Sequence, residues 1–383
     1  MYSKEKSGIK LKKLYYVTYQ SFPAQTANSI QTISNIKYFV RNNYDVTLFF
    51  PLREKRSSAN LNDIQSFYSF NDKFIIRGIK HYLPFGRIKF FKKILFHISH
   101  FLWSLWVIFF ILRNEDEPEY YLTRSDWVLL FLGLQNKNVI FECHQFSKIR
   151  RIVLNLVIKK KNVKVIFLNQ ELLKYSKFSS TLSNKLLVAH NGFDEDLISE
   201  NPVNKADKIV FVGSLTRFNE DRGLRILLDA FDDQEIKNRY SLTIVGGPED
   251  EASKLQKYLL SNNMDAEINI VGPKTRLEIS EYLREATIGI LINTSLNIHS
   301  YLFSSPLKYF EYVSNQLKVL AVDFPAHREL PYSENIVFFE EGNEESLIKA
   351  IKNSSNIKPL KFDEIKALTV NERVKKIIEF ANS

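Results

Sequence analysis

Short, almost wholly apolar segments recur along the chain, and polar or helix-forming segments separate them. The segments predicted as strands are 14–19, 45–50, 119–122, 138–142, 163–168, 185–189, 209–213, 241–245, 268–271, 288–292 and 318–322. An amphipathic helix is predicted at 30–42, and the strand that follows it is expected to end at Pro51. The polar segment 52–75 is predicted as a loop that leads to a short strand near 74–76. This alternation predicts parallel sheets covered by helices, the α/β class.

The chain is long enough for two such domains. Its 383 residues exceed the usual size of a single hydrophobic core. We expect an N-terminal domain at 1–195, a second domain at 196–365 and a C-terminal helix at 366–383, with a linker at about 194–208. Two α/β domains that face one another across a cleft offer the usual place for a ligand.

The charge of the chain is distributed unevenly. Residues 1–193 hold 30 Lys and Arg against 12 Asp and Glu, a net charge of +18, whereas 194–383 hold 23 against 31, a net charge of −8. The basic half indicates an anionic membrane surface, a phosphorylated acceptor or nucleic acid as partner. Nucleic acid ranks last, because the sequence has no recognisable nucleic-acid-binding motif.

Cysteine content and the N-terminus indicate the compartment. Cys143 is the single cysteine, which rules out an internal disulfide and fits a reducing environment. The N-terminus is basic but lacks a long apolar core and a small-residue cleavage site, so no signal peptide is expected. These features predict a cytoplasmic protein.

The segment 87–113 is unusually apolar and has three interpretations. The basic residues Arg87, Lys89, Lys92 and Lys93 precede its apolar run. The tryptophans of the run are Trp103 and Trp106, and its polar interruptions are His97, Ser99, His100 and Ser104. It is a core helix of the first domain, a helix lying in the membrane interface, or a membrane span. The span is the least favoured, because it would interrupt a βα pattern that continues on both sides.

Several common nucleotide and metal motifs are missing. The sequence has no GxxxxGK[ST] loop and no GxGxxG fingerprint, which argues against a P-loop NTPase and an ordinary NAD enzyme. The second domain has no close Asp-x-Asp pair and the chain has no His/Cys cluster, so we expect neither a metal nor a cofactor. Positive charge for an anionic ligand must then come from Lys, Arg and helix ends.

The segment 304–312 is predicted as a loop followed by a sharp helix start. Ser305 is a suitable N-cap, and Pro306 suits the first helical position. The free amides of such a start attract an anion, Lys308 adds a charge one turn in, and Glu311 can lie near the same face. This fits a sugar nucleotide, with the amides on the diphosphate and the carboxylate on the ribose. The alternative is an ordinary capped helix with a Lys308–Glu311 ion pair.

Four polar residues stand at the ends of predicted strands in the first half. They are Arg124, Glu142, His144 and Asn191. Because ligands bind at the carboxyl ends of parallel strands, all four are candidates for ligand contact. Glu142 and Arg124 alternatively form a structural ion pair, and His144 alternatively serves as a hydrogen-bonded structural histidine.

Three elements of the second half carry a family resemblance. They are Val212-Gly213-Ser214-Leu215 with Arg222-Gly223, Ile244-Val245-Gly246-Gly247, and Ser305-Pro306-Leu307-Lys308-Tyr309-Phe310-Glu311-Tyr312 followed by Lys318-Val319-Leu320-Ala321. Together they make most of 207–325 similar to the donor half of GT-B glycosyltransferases, most closely glycosyltransferase family 4. The GT-B fold consists of two Rossmann-like domains that face each other across a cleft.

The resemblance implies roles for these residues. Arg222 would bind the diphosphate, the glycine turn would lie beside the nucleotide, and Glu311 would contact the donor ribose. The implied donor-binding residues are Gly213, Ser214, Arg222, Gly246, Gly247, Ser305, Pro306, Leu307, Lys308 and Glu311, and the implied catalytic residues are His144, Arg222, Lys308 and Glu311.

The sequence departs from the family pattern at two positions. Ser214 stands where the family has an Arg that helps to clasp the diphosphate. Phe303 stands where the Glu-x7-Glu motif has its first Glu, which contacts the sugar. Sugar recognition is then expected to pass to polar residues of the preceding loop, namely Asn293, Asn297 or His299.

The first half resembles the same family less closely. The similar segments are Ala27-Asn28-Ser29, Phe141-Glu142-Cys143-His144 and Val188-Ala189-His190-Asn191-Gly192-Phe193-Asp194. The resemblance places His144 near the reacting centre and implies that the C-terminal helix crosses back onto the first domain. The acceptor-side residues would be Asn28, Ser29, Arg124, Glu142, His144 and Asn191.

These features predict a retaining, metal-independent glycosyltransferase that uses a nucleotide-diphosphate sugar. Its acceptor is expected to be a saccharide or lipid-linked molecule at the cytoplasmic face of the membrane. A sugar-nucleotide epimerase of the same fold would need a hydrolytic carboxylate constellation, which the sequence does not show. The departures at Ser214 and Phe303 motivate a second hypothesis, a degenerate GT-B protein that binds a partner or saccharide without turnover.

Overall fold

The chain forms two compact units. The computed structural model describes residues 11–81, 83, 92–197, 207–217 and 220–383. Of these, the first unit takes the chain up to Phe167 together with Leu173–Ala189 and Val374–Ser383, and the second takes Leu168–Leu172 and His190–Arg373. Arg87, Lys89 and most of the predicted linker lie outside the described residues.

The first unit contains a seven-stranded parallel sheet in the order β3-β2-β1-β4-β5-β6-β7. Its strands are β1 Lys12–Val17, β2 Tyr44–Leu52, β3 Ile75–Lys80, β4 Tyr120–Thr123, β5 Val139–Cys143, β6 Val163–Phe167 and β7 Leu186–Val188. The helices along this part of the chain are α1 Ala27–Arg41, α2 Leu61–Tyr68, α3 Lys92–Asn114, α4 Asp126–Leu134, α5 Lys148–Val157 and α6 Gln170–Ser176. Central Tyr16 is buried and in register with Leu48 on one side and Leu122 on the other.

The second unit contains a six-stranded parallel sheet in the order β12-β11-β8-β13-β14-β15 and an antiparallel β9–β10 pair. Its strands are β8 Lys208–Val212, β9 Thr216–Arg217, β10 Glu220–Asp221, β11 Ser241–Val245, β12 Ile268–Val271, β13 Ile288–Leu291, β14 Lys318–Val322 and β15 Ile336–Phe339. The later helices are α7 Arg225–Asp229, α8 Gln234–Arg239, α9 Glu249–Ser261, α10 Arg276–Glu285, α11 Leu307–Ser314, α12 Pro325–Arg328, α13 Glu344–Asn353, α14 Phe362–Lys366 and α15 Val370–Asn382.

The predicted α/β class with parallel sheets is confirmed, and two local predictions are wrong. The segment expected to be a loop contains α2, which Asn60 caps by accepting a hydrogen bond from the amide of Asn62. Strand β2 continues through Pro51 to Leu52. The carbonyl of Phe49 accepts a hydrogen bond from the amide of Thr18, so the backbone polar groups of Phe49 point toward β1. Those of residue 51, two positions along, point the same way, but the pairing of β2 with β1 ends at Phe49. The missing N–H of Pro51 therefore costs no ladder hydrogen bond.

Strand β8 shows why the strands of the second sheet are continuous apolar segments in the sequence. Phe211 packs into a hydrophobic cluster with residues of α7, whereas Val210 and Val212 pack into a second cluster with Tyr309 and Tyr312 of α11. Alternate residues of one strand thus enter two different layers, which is expected of a parallel strand covered by helices on both faces.

Tyr312 fixes α11 to this sheet. Its hydroxyl accepts a hydrogen bond from the amide of Val212 at 3.1 Å and donates one to the carbonyl of Ile290 at 3.2 Å. A methyl group at Gly289 would lie 2.5 Å from the tyrosine ring, so the ring occupies the space that a side chain would need. The helix is therefore tied to the ends of both β8 and β13.

Helix α3 turns its polar residues inward. Ser99, His100 and Ser104 are buried, and Nε2 of His100 lies 2.6 Å from Oγ of Ser125 in the cap of α4. The imidazole also stacks on Tyr19, with the ring centroids 4.1 Å apart. Among the residues that the structure describes, this is the one helix long and apolar enough to cross a membrane.

We expect His100 to make the stability of the protein depend on pH. Burial and, to a smaller extent, electrostatic repulsion from His97 and Arg53 lower its pKa to about 3. The unfolded chain, with a histidine pKa near 6.5, therefore binds more protons, and the free energy of unfolding falls as the pH drops below about 6.5. This single group contributes up to about 1.4 kcal/mol per pH unit.

Urea denaturation between pH 7 and 4 measures this effect. His100→Gln should flatten the pH dependence. His97→Gln on the same helix is the matched control and should change it much less, because burial is the main cause of the lowered His100 pKa. Equal slopes in the wild type and His100→Gln would contradict the assignment.

Candidate functional site

Helix α11 begins one residue later than predicted. Pro306 occupies the N-cap position without a side-chain hydrogen bond, and the predicted N-cap role of Ser305 is wrong. Instead, Oγ of Ser305 accepts from the amide of Asn191 at 3.0 Å, and Nδ2 of Asn191 donates to the Ser305 carbonyl at 2.5 Å. The first amides of α11, at Leu307 and Lys308, have no acceptor within the helix.

A second asparagine, which the sequence interpretation missed, holds the chain just before α11. Nδ2 of buried Asn169 donates to the carbonyls of Leu302 and Ser304 at 2.9 and 3.3 Å, while its Oδ1 accepts from the amide of Leu172. Asn169 lies two residues after the end of β6, so its position near a strand end was the available signal. Asn169 and Asn191, the latter predicted on the acceptor side, both lie in the second unit.

Removing the side chain of Asn191 is expected to loosen this region. Asn191→Ala leaves the buried Ser305 carbonyl without its side-chain donor, which should lower the free energy of unfolding by about 1–3 kcal/mol. Hydrogen exchange at 302–306 should also accelerate. Asn315→Ala, which removes a side-chain hydrogen bond to the Glu311 carbonyl at the other end of α11, is the control and should leave exchange at 302–306 unchanged. Unchanged exchange in Asn191→Ala would contradict the positioning role.

Lys308 and Glu311 form an ion pair on α11. The Lys308 Nζ lies 2.6 Å from Oε2 of Glu311, and the side chains remain 28% and 18% exposed. The ion pair that the plain-helix alternative required is therefore present. Because both charged groups still reach solvent, both can also meet a ligand at the start of the helix.

The glycine segments after β8 and β11 pack directly against each other. The amide of Gly213 donates to the Val245 carbonyl at 2.9 Å, and the amide of Leu215 donates to the Gly247 carbonyl at 2.7 Å. A methyl group at Gly246 would lie 1.7 Å from the carbonyl oxygen of Gly213. The backbones at Gly213 and Gly246 thus lie so close together at the carboxyl edge of the sheet that a side chain at position 246 would not fit between them.

Gly246→Ala should destabilise the second unit, because the clash is with backbone rather than with a flexible side chain. We expect the free energy of unfolding to fall by about 1–3 kcal/mol or more in urea denaturation. Gly272→Ala, at the end of neighbouring β12, is the control, since the nearest atom to its new methyl is Cγ of Glu249 at 3.9 Å. Equal stability of the two variants would show that the close approach is not required.

Arg222 lies at the same edge. Its Nη1 donates to the Ser214 carbonyl at 2.9 Å, and its guanidinium lies 5.7 Å from the ring centroid of Phe211. The pKa of Tyr312 is raised first by burial and further by Glu311, and Arg222 lowers it, so both charges act on one hydroxyl. The structure therefore brings Arg222 and α11 to one place.

The two departures from the family pattern have structural consequences. Ser214 donates its hydroxyl to the Thr216 carbonyl at 2.5 Å and supplies no charge. Phe303 is buried at the end of the π-helical turn His299–Phe303. Of the polar residues expected to replace the missing Glu, Asn297 accepts a hydrogen bond from the amide of His299 at 2.9 Å through Oδ1, and Asn293 is buried two residues after β13.

A separate polar cluster lies in the first unit. Oε2 of Glu142, a residue only 1% exposed, lies 2.7 Å from Nε of Arg124, 3.7 Å from Nε2 of His144 and 3.3 Å from the hydroxyl of Tyr16. Arg124 Nη1 also reaches the carbonyl and Oδ1 of Asn28 at 3.4 Å. Burial lowers the pKa of Arg124, but the Glu142 carboxylate and Tyr16 outweigh it, so the pKa of Arg124 is raised.

The structure thus unites most of the acceptor-side candidates but not all of them. Glu142 and Arg124 form the ion pair that the structural alternative required, and His144 lies beside it. Ser29 is buried in the first turn of α1, where its amide donates to Oγ1 of Thr26. Over the described ranges, no group of three or more His, Cys, Asp or Glu residues could hold a metal ion.

Comparison with solved structures places this geometry in a known fold. No protein-family model and no curated protein matches the sequence. HepE from Anabaena, solved with UDP and glucose, matches at 13% identity and a TM-score of 0.64 over 97% of this chain and 99% of that chain. A glycosyltransferase from Rickettsia africae ESF-5 matches at 13% identity and a TM-score of 0.69 over 98% of each chain. Sucrose-phosphate synthase from Thermosynechococcus elongatus matches at 14% identity and a TM-score of 0.69 over 97% of this chain and 100% of that one.

The chain therefore has the GT-B fold, as the resemblance predicted. Membership of glycosyltransferase family 4 stays a prediction, as do the roles of the individual site residues.

Proposed function

We propose that the protein is a retaining, metal-independent glycosyltransferase that moves a sugar from a nucleotide-diphosphate sugar to a saccharide or lipid-linked acceptor. One observation carries the proposal. The carboxyl edge of the second sheet brings together the Gly213–Gly246 approach, the guanidinium of Arg222 and the start of α11 with Lys308 and Glu311. Close backbone, fixed positive charge and a carboxylate are the groups that a nucleotide diphosphate requires.

The chemistry follows from where charge develops. When the bond between the sugar and the diphosphate breaks, its electron pair goes to the leaving phosphate oxygen. The first amides of α11, Lys308 and Arg222 would stabilise that charge, and no metal is needed in this scheme. Glu311 would accept hydrogen bonds from the ribose hydroxyls once Lys308 turns toward the diphosphate. Retention of the anomeric configuration rests on the resemblance to the family.

UDP is the nucleotide to test first. HepE, which shares the fold, has been solved with UDP, with UDP-glucose, and with UDP and glucose. The order of the second sheet and the glycine approach at its edge are compatible with such a donor.

The acceptor side is assigned to the cluster in the first unit. The buried Glu142 carboxylate, itself fixed by Arg124, lies 3.7 Å from Nε2 of His144, beyond hydrogen-bond distance, so it would act on the His144 ring through its charge. His144 would then orient a sugar hydroxyl. The positive charge of residues 1–193 supports an anionic acceptor and a peripheral location at the cytoplasmic face of the membrane. A role in cell-surface polysaccharide synthesis fits this location.

A thermal-shift panel of UDP, GDP, ADP and CMP tests the donor site. A nucleotide that binds the folded state raises the unfolding midpoint. We expect UDP to raise it, and Arg222→Ala and Glu311→Gln each to weaken UDP binding by about tenfold or more, because a hydrogen bond to a charged group contributes about 1.5–3 kcal/mol.

Two substitutions at the opposite edge of the same sheet serve as controls. Arg239→Ala and Glu285→Gln remove partners of Asp207 and Lys208, which stand before and at the start of β8. Both should keep the affinity of the wild type. A midpoint that no nucleotide raises would contradict the donor site.

The departures at Ser214 and Phe303 support a second candidate, a GT-B protein that binds without turnover. A UDP shift without release of UDP from any UDP-sugar would favour it.

A further inference from the structure

The outward face of α3 is apolar from Ile94 to Phe109. Six large side chains are 41–57% exposed: Ile94, Ile98, Leu102, Leu105, Trp106 and Phe109. Their spacing of three or four residues, with Leu105 and Trp106 adjacent, places them along one side of the helix. We call these six residues the outer α3 face.

Hydrogen bonds on the opposite side of α3 fix the helix so that the outer α3 face points to solvent. Ser99, His100 and Ser104 are buried against the first unit, where Ser99 Oγ lies 2.9 Å from the Tyr19 hydroxyl and His100 bonds to Ser125. If α3 were rotated so that the outer α3 face packed against the first unit, Ser99, His100 and Ser104 would turn away from it and lose these hydrogen bonds. An ordinary surface helix packs its apolar side chains against the domain and exposes its polar ones to water, whereas α3 buries these polar side chains and exposes the outer α3 face.

The apolar surface continues onto the neighbouring helices. Phe101 of α3 packs against Trp127 of α4 with ring centroids 5.1 Å apart, and Gly133 of α4 lies close to Val157 of α5. Beyond this contact, Ile152 and Leu156 of α5 are 61% and 60% exposed. Because α3, α4 and α5 connect strands added in one direction, right-handed crossovers place all three on one face of the sheet.

The helix does not span a bilayer in this fold. Helix α3 connects β3 to β4, and both strands belong to the same seven-stranded sheet. A span would place these strands on opposite sides of a membrane. A helix with one apolar face outside and one face packed on its own domain is suited to lying in the plane of the interface.

Charge identifies the occupant of this surface. The segment Ile94–Asn114 contains a single charged residue, Arg113, and Lys148 and Lys159 flank the exposed Ile152 and Leu156 of α5. The acidic residues that follow α3 are each paired with a cation: Glu115 with Arg77, Asp116 with Lys13, Glu117 with Lys137 and Glu119 with Lys12. A second copy would bring together two halves that each carry a charge of +18, whereas an anionic bilayer attracts them.

We propose that the outer α3 face, together with Ile152 and Leu156, docks into the interface of an anionic membrane, with α3 parallel to the bilayer plane. The apolar side chains enter the boundary of the acyl chains, and Trp106 lies at the level of the headgroups. The inference rests on the proposed peripheral location and is independent of the donor site.

Vesicle flotation of the full chain tests this surface. The protein should float with vesicles of phosphatidylcholine and phosphatidylglycerol, less with phosphatidylcholine alone, and less at high salt because salt screens the lysines. Leu105→Gln/Trp106→Gln/Phe109→Gln should weaken vesicle binding on the order of tenfold or more. Leu260→Gln/Leu277→Gln/Phe362→Gln is the matched control, since it removes three exposed apolar side chains from the second unit.

Further readouts separate the alternatives. Trp106 emission should shift to the blue on vesicle addition, and Trp106→Phe should lose most of that shift while keeping the binding. Three results would each overturn the proposal. The first is an equal loss of vesicle binding in the control variant, and the second is bound protein that sodium carbonate fails to extract. The third is the absence of flotation together with a dimer in sedimentation that only the α3 variant disrupts. The UDP-induced midpoint shift, measured without vesicles, should be unchanged in the α3 variant, so its failure would count against the donor site alone.

Discussion

The hydroxyl of Tyr312 is the contact on which the candidate donor site depends. It joins the amide at the end of β8 to a carbonyl of β13 while the ring lies over Gly289. The start of α11, with Lys308, is thereby placed at the same sheet edge as Gly213, which follows β8. Arg222 and Glu311 both act electrostatically on this hydroxyl. One buried tyrosine thus sets the spacing of the groups proposed to bind the diphosphate, although it would not touch the ligand itself.

The strands and the class of fold could be predicted from the sequence, because a parallel strand buried on both faces is a continuous apolar segment. Such a segment can be recognised without knowing which strands it pairs with. The sequence also pointed to the strand ends, and there it found Arg124, Glu142 and His144. It missed the contacts of Asn169 and Asn191 with the chain before α11, since these join segments more than 100 residues apart. Strand β15 was missed as well, although its sequence Ile-Val-Phe-Phe is typical of a strand.

Helix α3 shows a different limit of the sequence. Where apolar residues surround a helix on nearly all sides, periodicity does not tell which side faces the core. The structure decides this through polar residues, since His100 and Ser104 find partners only inside the first unit. Three interpretations therefore remained open until the positions of these hydrogen bonds were known.

The strand order has a consequence for how the first unit is made. Strand β1 leaves the ribosome first yet becomes central, and β2 and β3 are added on one side of it before β4 is added on the other. Helix α3 is the connection at which growth changes sides, and it is synthesised before β4 and before Ser125, the partner of His100. Translation adds roughly 5–20 residues per second, so His100 is without Ser125 for about a second or more, although Tyr19, on which its ring stacks, has already been made. During that interval the nascent chain exposes a complete helix whose outer side chains are apolar.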